Sequence, residues 1–162
     1  METKNKLVIL AVIRVRGPAK VSAKIDDTMK MMRLYKVNNC TVIPNTPVYL
    51  GMIKRVKDYI TWGEIDADTF KLLLEKKGRL MGNKQLTNDY VIEKTKSNIK
   101  EFSDEFFSGK KTLNDIPGIK KFFRLNPPVK GYEREGIKKP YSMGGALGYR
   151  KENINELLRR MI

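Results

Sequence analysis

Between Lys138 and Lys151 the sequence reads KKPYSMGGALGYRK, fourteen residues holding three glycines, two tyrosines, four cationic side chains and no acid. Glycine removes the Cβ that holds a ligand away from the backbone, cations attract phosphate, and flat rings stack on bases. Three kinds of chemistry fit such a loop. With Arg150 and Lys151 it could cradle the phosphates of a small nucleotide. With Lys138, Lys139, Tyr141, Gly144, Gly145, Arg150 and Lys151 together it could lie along a nucleic-acid backbone. Or its glycines could simply shape a turn between two elements. GGALG matches neither GxxxxGK[ST] nor a GxGxxG that opens a helix, and no nearby hydroxyl or carboxylate is placed for magnesium.

The preceding stretch, GIKKFFRLNPPVKGYEREGIKK from Gly118 to Lys139, interleaves Lys120, Lys121, Arg124, Lys130, Arg134, Lys138 and Lys139 with Phe122, Phe123 and Tyr132. Cations between rings suit phosphate pairing combined with stacking on unpaired bases. The plainer reading packs the phenylalanines on the body and leaves the cations solvated, which does not explain their local excess. Arg14, Arg16, Lys20 and Lys24 cluster in RVRGPAK and just beyond it, and Lys54, Arg55 and Lys57 follow one another on a helix. A solvated loop and an ordinary charged helix face are the alternatives there. IPGIKK, Ile116 to Lys121, offers the Pro-Gly turn of a helix-hairpin-helix unit, hence a stand-alone DNA- or RNA-binding protein as the competing function.

Other chemistries find little footing. The chain has no histidine, which removes the commonest general base and the commonest zinc ligand. Its single cysteine, Cys40, can form neither an internal disulfide nor a CxxC site and reads as a small buried hydrophobe in a reducing cytoplasm. Asp66 with Asp68 and Asp104 with Glu105 sit at or on helices, where end electrostatics explains them better than acid–base work. Neither enzyme activity nor a cofactor, metal or small-molecule substrate is expected. The longest apolar run, Leu7 to Ile13, is too short to span a bilayer, so no membrane partner is expected either.

Charge points to a polyanion. The 162 residues carry a net +15, and it is unevenly spread. Residues 1–60 hold 12 basic and 4 acidic side chains and residues 109–151 hold 11 and 3, whereas residues 61–108 hold 8 and 9.

The elements that must position these groups follow from periodicity. Leu7 to Val15 reads as a buried strand ending at Gly17-Pro18. Ile25, Met29 and Met32 recur at helical spacing behind Asp26 and Asp27. Cys40 to Pro44 is a second strand. Thr46-Pro47 starts a second helix, with a capping hydroxyl and a proline where no N–H is needed. Ile60 to Ile65 is a third strand. The first 66 residues thus form a βαβαβ two-layer α/β sandwich. Phe70, Leu73 and Leu74 mark a helix before Gly78, Thr87 caps another, and Ser97 caps a third that Gly109 stops. Periodicity fades over residues 110–151, an expected basic arm that a partner would order. Ile154, Leu157, Leu158 and Met161 then define a terminal amphipathic helix over 152–161, with Glu156 near Arg159 and Arg160.

Taken together, TPVYLGMIKRVKDYITWGEID (Thr46 to Asp66), FFRLNPP and GYRKENINELLRRM resemble the large-ribosomal-subunit protein family called L-thirty in bacteria and L-seven in eukaryotes. With only six residues before Leu7, and with similarity running on to Met161, the archaeal form is the closer match. The resemblance implies a βαβαβ core with a three-stranded antiparallel sheet (residues 1–66), followed by a helical extension with an RNA-facing arm (67–162). It implies a non-enzymatic constituent of the large subunit that binds its ribosomal RNA through phosphate contacts. The 5S RNA and neighbouring ribosomal proteins are its implied partners. Arg16, Gly17, Pro18 and Lys20, the Gly51–Lys57 stretch, and Arg124 to Arg150 match RNA-facing segments. Glu133 and Glu135 stand where a purely basic arm is expected.

Overall fold

The computed structural model describes residues 8–162, so Leu7, the first residue of the expected opening strand, lies outside the described residues. The first elements are β1 (Ile9–Arg14), α1 (Ala23–Met31), β2 (Asn39–Pro44), α2 (Pro47–Val56) and β3 (Ile60–Glu64), in the order expected. At α2 the Thr46 hydroxyl accepts from the Tyr49 N–H at 3.4 Å, with Pro47 opening the first turn. Every residue of β1 is buried. A strand with one wet face would alternate polar and apolar; ILAVIR does not, so both its faces must be covered.

They are. Ile9, Ala11 and Ile13 point into one core, and Leu10 and Val12 into another. Helices α1 and α2 close the second core with Met29, Met32, Ile53 and Val56. The first is closed by α3 (Ala67–Lys77), α4 (Asn88–Thr95), α5 (Ile99–Phe107) and α6 (Ile154–Met161). The two-layer expectation is corrected to three layers, helices lying on both sides of the sheet. The sheet is also wider than the three antiparallel strands expected. Its order is β4-β2-β1-β3-β5, with β4 (Phe123–Arg124) antiparallel to β2 and β5 (Gly148–Tyr149) parallel to β3. Two-residue strands carry no period, so nothing in the local pattern announces them.

Caps differ in one place. Asn98, not Ser97, begins α5, and the Glu101 carboxylate accepts the Asn98 N–H at 3.1 Å. Ser97 instead turns inward to Lys111, whose ammonium pairs with Glu105 at 2.5 Å. Residues 110–151 are mostly irregular, as expected, but they are not an extended arm. Leu113, Ile116, Ile119, Phe123, Leu125, Ala146 and Leu147 are all buried against the body. Their irregular spacing hides a real apolar contribution.

Helix α6 returns to the sheet as its stripe requires, with Ile154, Leu157, Leu158 and Met161 fully buried. It and the turn leading into it approach so closely that a Cβ on Gly63 would stand 2.1 Å from the Lys151 carbonyl oxygen and 2.9 Å from Ile154 Cβ. The Asn155 amide fixes the approach, donating to the carbonyls of Glu64 (3.0 Å) and Glu152 (2.9 Å) while its oxygen accepts the Asp66 N–H (3.0 Å). Arg160 does not pair with Glu156; it donates to the Gly131 carbonyl at 3.0 Å and lies 3.8 Å from Glu133.

Candidate nucleic-acid interface

Antiparallel register sets the C-terminal end of β1 beside the N-terminal ends of β2 and β3, pairing Ile13 with Cys40 and Arg14 with Ile60. The loop after β1 consequently meets the end of α2. The N–H groups of Val15 and Arg16 both bond the Tyr59 carbonyl, at 2.9 and 3.1 Å. The Arg16 guanidinium donates to the Asp58 carbonyl at 3.1 Å and lies 4.9 Å from the centre of the Tyr59 ring. This joint unites half-buried Arg16 and exposed Lys20 with exposed Lys54, Arg55 and Lys57. The loop that carries Lys138 reaches the same end, because Ala146 and Leu147 pack on Val15. Lys130 is exposed nearby, two residues before Tyr132, whose hydroxyl donates to Asn38 Oδ1 at 3.1 Å. Among the described residues Lys20, Lys54, Arg55, Lys57, Lys130 and Lys138 form no ion pair. Asp58 is an exposed acid within this group.

A second group lies along the outer edge of the sheet. Arg124 is exposed on β4, and Lys120 and Lys121 are half-buried just before it. Lys151 sits apart from both groups, exposed beside β3 on the α6 side, and Lys139 is paired with Glu135 at 2.5 Å.

Four of the expected RNA contacts are spent inside the protein. Arg14 is 1% exposed, and its guanidinium donates to the carbonyls of Leu34 (2.8 Å), Tyr35 (3.1 Å) and Arg16 (3.0 Å). Burial draws its pKa down, yet an arginine remains charged at any ordinary pH. Arg150 is 2% exposed and forms a two-pronged pair with Glu133. It also donates to Thr61 Oγ1 (2.8 Å) and the Ala146 carbonyl (3.0 Å), and lies 4.6 Å from the centre of the Tyr141 ring. Tyr141 is thereby occupied as a platform for Arg150, and its hydroxyl accepts from Asn153 at 2.9 Å. Gly145 is buried, and a Cβ there would stand 2.1 Å from the Lys139 carbonyl oxygen. These residues clasp the molecule; they do not face a ligand. Gly144 is exposed, and its φ of 81° is a turn requirement.

The same geometry removes the nucleotide cradle. A cradle needs free N–H groups, but those of Gly144, Gly145, Ala146 and Leu147 bond the carbonyls of Tyr141, Pro140, Gly136 and Lys139. The Pro-Gly hairpin is likewise tied down. Pro117 accepts the Tyr90 hydroxyl at 2.9 Å, Gly118 accepts the Met81 N–H at 2.9 Å, and a strand rather than a helix follows. Cys40 is fully buried as expected, and burial pushes its thiol up to about 12.

Glu133 explains the acid in the basic run. Burial pushes its carboxyl up, but the Arg150 hydrogen bonds and the charges of Arg150 and Arg160 outweigh this and hold it below the ordinary value. Burial raises the Tyr132 phenol to about 12, and a hydrogen bond to Glu64 does the same for Tyr149, so both stay neutral donors. Sequence reasoning missed the structural work of Glu133, Thr61 and Asn155, and the placing of Tyr35 and Lys36 beside Lys120 and Arg124. For Glu133 a signal existed: an acid placed within a cationic stretch has a partner to satisfy.

An α/β domain of this kind is found among ribosomal proteins: the family model described as Ribosomal protein L30p/L7e matches residues 10–60. Beyond that segment, the chain is 53% identical over 152 residues to the large ribosomal subunit protein uL30 of Methanococcus maripaludis, covering 94% of this chain and 98% of that protein. It is 50% identical to the uL30 of Methanopyrus kandleri (91% and 100% covered) and 47% identical to that of Nanoarchaeum equitans (96% and 100% covered). The chain belongs to the L30p/L7e family of ribosomal proteins, in its archaeal form.

Proposed function

We propose that this chain is a structural, non-enzymatic constituent of the large ribosomal subunit in the cytoplasm, and that it holds folded ribosomal RNA by phosphate contacts. The observation that carries the reading is the joint at one end of the sheet, where Lys20, Lys54, Arg55 and Lys57 stand exposed beside Arg16 and unpaired among the described residues. Lys130 and Lys138 extend this surface, and Lys120, Lys121 and Arg124 form a second one. Lysines on a rigid frame act as point charges that position a duplex without reading its bases. The division into a core over 1–66 and an extension over 67–162 belongs to the same reading, as do the 5S RNA and adjacent ribosomal proteins as neighbours.

The test is binding to purified large-subunit RNA across a range of salt. Each neutralised phosphate releases condensed counterions, so affinity should fall steeply as salt rises. Lys54→Ala and Lys57→Ala should each lower the slope of that fall by roughly 1 while leaving the melting temperature unchanged. An affinity indifferent to salt, or variants that bind as the parent does, would defeat the proposal.

A further inference from the structure

We propose that a notch beside β4 takes one unstacked RNA nucleotide, its base stacking on Tyr35 and bordered by Phe122, and its adjoining phosphates held by Lys36, Lys120 and Arg124. This deepens the RNA-binding reading above and rests on it. The notch has a volume of about 280 Å³ and is lined by those five residues and Asn39. The two rings meet edge to face, with centroids 5.5 Å apart and planes at 78°. Neither ring belongs to either core: Phe123 enters the interior, whereas Phe122 stays outside it and Tyr35 is 50% exposed. An edge-to-face pair leaves ring surface free, which is what an unpaired base requires.

The polar lining matches the same ligand. Lys36, Lys120 and Arg124 form no ion pair among the described residues, and no acid lines the notch. Among the described residues Lys120 Nζ donates only to Asn83 Oδ1, at 3.5 Å. Asn39, 3% exposed, contributes to the lining of the notch. Its side-chain amide offers both a donor and an acceptor to the edge of a base.

Both walls are fixed in advance. Buried Arg14 pins the carbonyls of Leu34 and Tyr35, and the Asn39 N–H bonds the Lys36 carbonyl at 3.2 Å. On the other wall Arg124 pairs with Asn39 in the sheet, and the Leu125 N–H bonds the Asn38 carbonyl at 3.0 Å. Little ordering remains for the ligand to impose. Bases within an A-form duplex are stacked and out of reach, so the nucleotide must come from a loop, bulge or single strand.

The test titrates the purified full-length chain with a short oligouridylate and, separately, with large-subunit RNA. Tyr35 is half exposed and outside both cores, so Tyr35→Ala should melt as the parent does. It should bind the oligouridylate roughly tenfold more weakly, the loss of one stacked base, with the salt slope unchanged. Tyr35→Phe keeps the ring and should restore binding, while Arg124→Ala should reduce the slope by about 1. The proposal is overturned if Tyr35→Ala and Phe122→Ala both bind the oligouridylate as the parent does, or if Tyr35→Phe fails to restore what Tyr35→Ala loses. Should the notch variants be silent while Lys54→Ala still weakens ribosomal RNA binding, the phosphate reading stands without the notch. Silence in all of them would remove both.

Discussion

Arg150 shows how one residue type can serve opposite ends. In a basic, glycine-rich stretch it reads as a phosphate ligand, yet it sits buried against Glu133, Thr61, Ala146 and Tyr141. Deleting one member of a fully buried ion pair costs about 3–5 kcal/mol; half-buried Glu133 would keep Arg160 at 3.8 Å, which places this pair at the low end of that range. Arg150→Ala is expected to lower stability by about that amount, read as a shift of the urea midpoint. An unshifted midpoint would contradict the clasp. Glu133 adds a dependence on pH. Its carboxyl is held below the ordinary 4.5, so folding stabilises the charged form. That contribution is complete above the ordinary value and is lost as pH falls through the lowered one. Glu133→Gln should therefore be less stable than the parent near neutral pH, with the gap narrowing in acid. A gap that stayed constant down to pH values well below 4.5 would rule the linkage out.

At the scale of elements, those with a period could be read from the chain and those without could not. Helices α1 to α3 and α6 announced themselves through apolar spacing, and Thr46-Pro47 marked a start that the structure keeps. The strands β4 and β5 were invisible, because two residues cannot show an alternation and their partners lie far away in sequence. The unbroken apolar run of β1 fits a strand covered on both faces, but the two-layer reading gave it one cover, and the later helices supply the second. The site was half legible. Clusters of cations were plain in the sequence, but which of them point outward depends on partners such as Glu133 and the carbonyls around Arg14. The segment 110–151 carries the sharpest consequence. Packed as it is, it should resist trypsin in the free protein despite its many lysines, and lose that resistance in Arg150→Ala. Early cleavage within it in the RNA-free parent would show that it is not held as described.

For the whole molecule, Cys40 provides a built-in reporter. It lies on β2, an interior strand of the sheet, fully buried, with its thiol raised to about 12. A thiol reagent should label it only as the entire structure opens, at a rate that follows global unfolding in denaturant. Rapid labelling under native conditions would mean that the sheet breathes locally. The two cores also differ in when they can close. The core under α1 and α2 draws on residues between Leu10 and Trp62 alone, whereas the other needs both Ile9 and Met161. During synthesis, α6 emerges about 90 residues after β3, a delay on the order of 5–20 seconds at ordinary translation rates. Throughout that interval one side of the nascent sheet has its finished cover, while the other is covered piecemeal by α3, α4 and α5 and stays incomplete until the last helix arrives.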